Sequence, residues 1–173
     1  MTSGKNTQKM CVIGSTEYVD VAGIKNIPAK IDTGADSSSI WVTDIDMDAD
    51  GILSFSLLSK KSPLYTGERL EFDDYAVKTI RSSHGDEQIR YRVKMPLTLG
   101  GKTFETVFTL ANRSRNSFPI LIGKRTLEGN FLVDVSKSSI DRQYSGKSAW
   151  LNRELKDDPY QFHHKYIKKG VHL

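Results

Sequence analysis

One short segment of the chain has the residue types and the spacing for acid–base chemistry. Asp32 follows an apolar stretch that ends at Ile31, and Thr33 and Gly34 come directly after it. A strand before the acid would fix its carboxylate, the Thr33 hydroxyl could bond within the loop, and Gly34 would allow a close backbone approach. We therefore interpret Asp32, Thr33 and Gly34 as candidate catalytic residues.

The chemistry open to such a loop depends on a second carboxylate. Two aspartates that share a proton can hydrolyse a peptide bond, because one takes a proton from water while the other donates one to the substrate. The chain contains one Asp-Thr-Gly and no Asp-Ser-Gly. We therefore expect a twofold homodimer that joins two copies of Asp32 in one active site. The alternative is a loop aspartate that only forms the turn.

The elements that must position this loop are predicted to be strands. Apolar and polar residues alternate over 89–99, two glycines at 100 and 101 form a turn, and the alternation resumes over 104–110, which predicts a hairpin. Further strands are predicted near 10–13, 18–21, 29–31, 39–42, 53–57, 70–80, 119–122 and 131–135. Helical patterns are confined to 124–128 and 148–156, so the fold is predicted to be an all-β barrel or sandwich.

The order of these segments resembles the retropepsin-like aspartic peptidases. Residues 119–127, with the sequence PILIGKRTL, resemble the apolar strand ending in glycine that packs beside the catalytic loop in that family and leads into its one helix. The polar stretch 81–88 lies where those enzymes carry the flap over the substrate. The resemblance spans residues 18–135 and implies a closed β-barrel of the acid-protease type with one short helix.

A closer resemblance is to a bacterial subgroup of this fold, known as ATP-dependent zinc proteases and associated with RimK-type ATP-grasp ligases that add glutamates to proteins. It rests on residues 12–19 (VIGSTEYV), 27–35 (IPAKIDTGA) and 121–125 (LIGKR). It implies a homodimeric aspartic peptidase, with glutamate-rich or glutamylated protein tails as candidate substrates and a ligase system as a candidate partner. Arg90, Arg92 or the basic tail would favour such substrates. The alternative is a non-catalytic peptide-binding module.

The resemblance also assigns substrate-binding roles. Ala35 and Asp36 follow the catalytic triplet, and His84 and Gly85 lie at the predicted flap tip. Retropepsins often place an acid at the position of Asp36, where it meets the substrate backbone or a structural arginine; simple capping of the loop is the alternative. His84 either contacts substrate or belongs to an exposed polar turn.

Three residues near the glycine-ending strand are expected to be structural. Ile122 and Gly123 belong to the strand itself, and Arg125 is expected to form an ion pair within or between subunits. Viral relatives have an arginine directly after the glycine, where this chain has Lys124. Trp41, after the catalytic loop, is expected to pack in the core.

The zinc and ATP in the subgroup's name find no support in the residues. No His-Glu-x-x-His motif occurs, and the four histidines have no recognisable ligand spacing. Residues 101–103 and 146–148 match only the end of a phosphate-binding loop and lack the glycine that must precede it. We therefore expect neither a metal nor another cofactor; a metallohydrolase would require bound zinc.

The predicted barrel domain spans residues 10–138, with an insertion at about 43–67 relative to the viral enzymes. From Asp141 onward the chain has seven Lys or Arg and four Asp or Glu, and therefore most of the net charge of +4. Residues 139–173 are interpreted as a basic, peripheral extension that is partly helical or disordered, and no nucleic-acid partner is expected. No apolar run approaches the roughly 18 residues of a membrane span and no signal peptide is recognisable, so we expect a cytoplasmic protein without membrane contact.

Overall fold

The computed structural model describes residues 10–81, 87–140 and 147–168. The chain divides into two compact units, Met1–Ile140 and Asp141–Leu173. Strands dominate the described part of the first unit, and helices make up that of the second. No helix among the described residues is both long and apolar enough to cross a membrane.

Eleven strands and one short helix are described in the first unit. The strands are β1 (Cys11–Ile13), β2 (Thr16–Val21), β3 (Ile24–Asp32), β4 (Ser38–Met47), β5 (Leu53–Leu57), β6 (Arg69–Phe72), β7 (Tyr75–Arg81), β8 (Glu87–Leu99), β9 (Lys102–Ala111), β10 (Ile120–Gly123) and β11 (Phe131–Val133). Helix α1 (Lys124–Leu127) lies between β10 and β11. Every strand predicted from the alternating patterns is present.

Six of these strands close into a barrel. Hydrogen-bonded neighbours follow the order β10, β3, β2, β8, β9, β4, and β4 pairs again with β10, so that the ring has no open edge. The predicted closed all-β barrel is therefore confirmed. β5 and β6 extend the sheet beyond β4. The predicted insertion, residues 43–67, contains the end of β4, the whole of β5 and the turns that follow it.

The barrel encloses one apolar core. Alternate residues of β8 from Val93 to Leu99 are buried in it, together with Phe108 and Leu110 of β9. The same core includes Ile31 of β3 and Ile120 and Ile122 of β10. Burial of these side chains is the main favourable contribution to folding and fixes the strands that carry the site. Trp41 is partly buried and packs against this core.

A second hairpin lies where the flap was predicted. β7 and β8 pair from Tyr75 opposite Val93 to Arg81 opposite Glu87. We call this pair of strands the β7–β8 hairpin. The predicted tip residues His84 and Gly85 lie outside the described residues.

Three short helices lie within the described residues of the second unit: α2 (Lys147–Asp157), α3 (Pro159–Phe162) and the π-helical turn α4 (His163–Ile167). The carboxylate of Asp158 caps α3 by accepting a hydrogen bond from the Gln161 amide at 2.9 Å. Glu154 of α2 pairs with Lys165 of α4 at 2.6 Å and accepts a bond from the Tyr166 hydroxyl at 2.9 Å. These contacts hold α2 against α4. The predicted boundary at residue 138 stays a prediction.

Candidate active site

Asp32 is the last residue of β3, and two core strands determine where it lies. β10 runs parallel to β3 and pairs Ile122 with Ile31 and Gly123 with Asp32. Both isoleucines are buried, with 6% of Ile31 and none of Ile122 exposed. Asp32 is half-buried, and the pairing of β3 with β10 fixes its backbone at the point where the loop begins. The glycine-ending segment predicted to pack beside the catalytic loop does lie there.

Backbone amides of the loop hold Asp32 in place. The amide of Gly34 donates to Oδ1 of Asp32 at 3.1 Å, and the amide of Ala35 donates to the main-chain oxygen of Asp32 at 3.2 Å. The chain therefore turns tightly after the acid, with Thr33 and Gly34 exposed. Both of these bonds come from backbone amides, and a bond from the Thr33 hydroxyl within the loop stays a prediction.

Gly123 allows β10 to touch the loop. A Cβ at this position would lie 2.5 Å from the carbonyl carbon of Ser37 and 2.9 Å from the carbonyl oxygen of Ala35, closer than any side chain can approach. The amide of Gly123 donates to Oγ of Ser38 at 3.1 Å, and the amide of Lys124 donates to the Ala35 carbonyl at 2.8 Å. Glycine at 123 is thus required by its close contact with the loop that follows Asp32.

A buried pair of hydroxyls joins the same loop to α1. Oγ of Ser38 and Oγ1 of Thr126 lie 2.7 Å apart, and the two residues are 1% and 7% exposed. The amide of Arg125 also donates to the main-chain oxygen of Asp36, at 3.4 Å. The loop is therefore held at both ends, by β3 at Asp32 and by α1 after it.

Asp36 forms its ion pair with Lys124. Nζ of Lys124 lies 2.7 Å from Oδ1 of Asp36, and both side chains are more than half exposed. The hydrogen bond from Lys124 and then its charge hold the pKa of Asp36 below its ordinary value, with smaller contributions from Lys78 and Arg125. Arg125 itself is exposed, and its predicted ion pair, within or between subunits, stays a prediction.

Two cations outside the predicted site residues lie close to the loop. Lys78 of β7 donates from Nζ to Oγ of Ser37 at 3.3 Å. Arg113, in the segment between β9 and β10, is half-buried, and burial lowers the pKa of its guanidinium, as does the charge of Arg90, while the charge of Asp32 raises it. Arg113 therefore lies within electrostatic reach of the candidate catalytic acid.

A cavity of about 760 Å³ opens between the start of β8 and the segment that follows β9. Its lining includes Gln88, Arg90, Asn112 and Arg115. Its volume is in the range of small-ligand sites. Arg90, whose charge acts on Arg113, thus also lines this cavity, as does Arg115.

The described residues offer no ligand set for zinc. No three His, Cys, Asp or Glu side chains in this part of the chain are grouped so that they could hold a metal ion. The known geometry of zinc sites requires at least three such ligands. That the protein works without a cofactor stays a prediction.

Comparison with known proteins places this arrangement in a family. Residues 12–143 match the model of the RimB-like family, described as "Retropepsin-like aspartic endopeptidase RimB". The chain is 30% identical over 132 residues to a probable alpha-L-glutamate ligase of Shewanella pealeana, a match that covers 73% of this chain and 29% of that protein. A similar protein of Desulfotalea psychrophila is 28% identical over 148 residues, 78% of this chain and 32% of its own length.

The chain thus spans about a third of the curated relatives that it matches. A crystal structure of a Legionella pneumophila protein of unknown function shares the fold, with a TM-score of 0.58 and 24% identity over 75% of this chain and 97% of that one. Because the family model covers most of the chain and includes the whole barrel, the chain belongs to the RimB-like family of retropepsin-like aspartic endopeptidases.

Proposed function

We propose that the chain is a homodimeric aspartic peptidase that hydrolyses peptide bonds with two paired Asp32 carboxylates and a water molecule between them. The observation that carries the proposal is the placement of Asp32, at the end of a core strand and with one oxygen held by the Gly34 amide. One copy supplies one such carboxylate on an exposed loop. A second copy, related by a twofold axis, supplies the other.

The paired carboxylates divide the proton transfers between them. Two carboxylates in contact share one proton, because both cannot be ionised at close range. The ionised Asp32 takes a proton from water as the water oxygen attacks the carbonyl carbon, and the protonated Asp32 donates to the carbonyl oxygen. Collapse of the tetrahedral intermediate breaks the C–N bond as a proton passes to the leaving nitrogen. The β7–β8 hairpin of each copy covers the substrate.

Acidic peptides, and glutamate-rich or glutamylated protein tails in particular, are the proposed substrates. Lys78 and Arg113 lie next to the loop that carries Asp32, so a negatively charged substrate is attracted to it. The curated relatives are named as glutamate ligases, which supports a link to a RimK-type ligase system. The cytoplasmic location expected from the sequence is part of this proposal.

The Asp32→Asn substitution tests the proposal. It keeps the shape of the side chain but removes the acid, so we expect cleavage of a glutamate-rich peptide, followed by mass spectrometry, to fall by at least about a hundredfold. The melting temperature should stay close to that of the wild type. Asp73→Asn removes an exposed carboxylate from the turn between β6 and β7 and serves as the matched control.

Cleavage that survives in Asp32→Asn would contradict the assignment of the catalytic acid. A wild-type protein that binds the peptide without cleaving it would favour the alternative function, a peptide-binding module with the same fold.

A further inference from the structure

Four side chains on neighbouring strands form a row along one face of the barrel sheet, beside the loop that carries Asp32. Arg92 of β8 lies opposite Thr109 of β9, Thr109 lies beside Ser39 of β4, and Ser39 lies opposite Leu121 of β10. Residues paired across strands point to the same side of a sheet. These four therefore share one face, on the opposite side from Val93 of β8 and from Phe108 and Leu110 of β9, which are buried in the core.

The β7–β8 hairpin continues this face toward the loop. Lys78 lies opposite Arg90, two residues before Arg92 on the same strand, so all three point to the same side. Nζ of Lys78 reaches Oγ of Ser37 in the catalytic loop, at 3.3 Å. The face that carries the row is thus the face that borders the loop of Asp32.

Arg113 covers part of the row. Its Nη1 donates to Oγ of Ser39 at 2.9 Å, and its Nε donates to the main-chain oxygen of Phe118 at 3.0 Å. Asp32 and Arg90 both act on its charge. Arg113 therefore connects the row electrostatically to the candidate catalytic acid on one side and to Arg90 on the other.

Two donors in the row are buried and unpaired. Nε of Arg92 and Oγ1 of Thr109 have no hydrogen-bond partner among the described residues, and Thr109 is 2% exposed. Such groups are rare in folded proteins, because leaving them unpaired costs free energy. The two residues are direct cross-strand neighbours, so both donors lie on the same face of the sheet. A carboxylate suits a guanidinium better than any neutral acceptor does.

We propose that Arg92, Thr109 and Arg113 form a subsite that binds an acidic side chain of the substrate beside Asp32. The inference rests on the proposed peptidase function and names the residues that select its substrate. Arg92 and Thr109 donate to the carboxylate of the bound side chain, and Arg113 and Arg90 attract it by charge. Each copy in the dimer provides one such subsite, so acidic residues are selected on both sides of the cleaved bond.

Matched peptides test the subsite. One series has glutamate next to the cleaved bond, and the other has glutamine, which has the same shape without the charge. We expect the wild type to show a kcat/KM about 10- to 100-fold higher for the glutamate series. Arg92→Gln should remove most of that preference. Thr109→Val keeps the shape of its side chain, so it should lower the preference without a loss of folding, as checked by thermal unfolding.

Lys102→Gln is the control for a general effect of charge. It removes one cation, seven residues before Thr109 on β9 and therefore roughly 20 Å away, where Lys102 contacts the main-chain oxygen of Asn130 at 3.4 Å. The ratio of kcat/KM for the two peptide series should stay at the wild-type value in this variant. A ratio that falls as far in Lys102→Gln as in Arg92→Gln would overturn the subsite.

Equal kcat/KM for the two peptide series in the wild type would overturn the subsite and leave the peptidase function standing. If neither series is cleaved, peptide binding to the Asp32→Asn protein, measured by fluorescence anisotropy, decides the question. Tighter binding of the glutamate series that is lost when Arg92→Gln is added supports the subsite, although the peptidase proposal then fails. Equal binding of both series overturns the subsite as well.

Discussion

Two carboxylates on the same loop, Asp32 and Asp36, have different surroundings. Asp36 lies only four residues after Asp32, but it is paired with Lys124 at 2.7 Å, and the pKa of its carboxyl is held below the ordinary value by that contact. A carboxylate held in its ionised form cannot donate a proton near neutral pH. Lys124 thus ties Asp36 to the start of α1, and Asp32 stays the proposed catalytic acid.

The pairing of Asp36 with Lys124 can be tested by titration. We expect the side-chain carboxyl of Asp36, followed by NMR, to titrate below 3.8 in the wild type and to move toward that value in Lys124→Gln. Because the pKa is depressed in the folded state, the ion pair stabilises the fold above the ordinary pKa, and its contribution is lost as pH falls through the depressed value. The stability difference between the two proteins should therefore vanish at low pH.

Lys137→Gln is the control for this titration. It removes another lysine from an exposed ion pair, with Asp134 at 3.3 Å, and should leave the pKa of Asp36 unchanged. An Asp36 that titrates at its ordinary value in the wild type would show that the pairing does not persist in solution.

Among the elements, β10 and α1 make the buried contacts that hold the loop after Asp32 in its conformation. Gly123 supplies the close contact with Ser37, and the hydroxyls of Ser38 and Thr126 tie the loop to the helix. A loop that is held by buried contacts loses little conformational freedom when it binds a substrate. The short β10–α1 segment thus has a direct part in positioning Asp32.

Gly123→Ala should show how tight this contact is. The added Cβ would lie 2.5 Å from the Ser37 carbonyl carbon, so the loop or β10 must shift, and we expect a loss of about 3 kcal/mol in the free energy of unfolding. Gly101→Ala is the comparison, because its surroundings are open and only a positive φ of 76° opposes a side chain, at about 1 kcal/mol. Urea unfolding of both variants measures the difference. Equal losses would contradict a role for close packing at Gly123.

The sequence alone predicted the strands, the Asp-Thr-Gly segment and the strand that ends at Gly123. It did not predict which cations lie beside them. Alternation along β8 and β9 is a local pattern, so it predicted the hairpin directly. Arg113 and Lys78 belong to no motif, and the side chains that they contact, Ser39 and Ser37, lie 74 and 41 residues away along the chain. Such partners come together only when the barrel closes, so no local spacing in the sequence predicts their contact.

For the whole molecule, one chain supplies half of the proposed site. Each barrel presents a single Asp32, and the neighbouring Thr33 and Gly34 are exposed, as an interface loop requires. In the proposed dimer, a twofold axis through this loop would make the contact self-complementary and place the two acids together. The proposed mechanism therefore predicts that a pair of wild-type chains is active and that a single chain is not.

Mixing wild-type and variant subunits tests whether both copies of Asp32 are needed. If both copies of Asp32 are needed, an equal mixture of wild-type and Asp32→Asn chains, after subunit exchange, contains about one quarter active dimers and should retain about one quarter of the wild-type initial rate. A site complete within one chain would retain about one half. A mixture with Asp73→Asn should keep the full rate, and analytical ultracentrifugation verifies that the chains are paired. A rate that falls in direct proportion to the wild-type fraction would rule out the shared site.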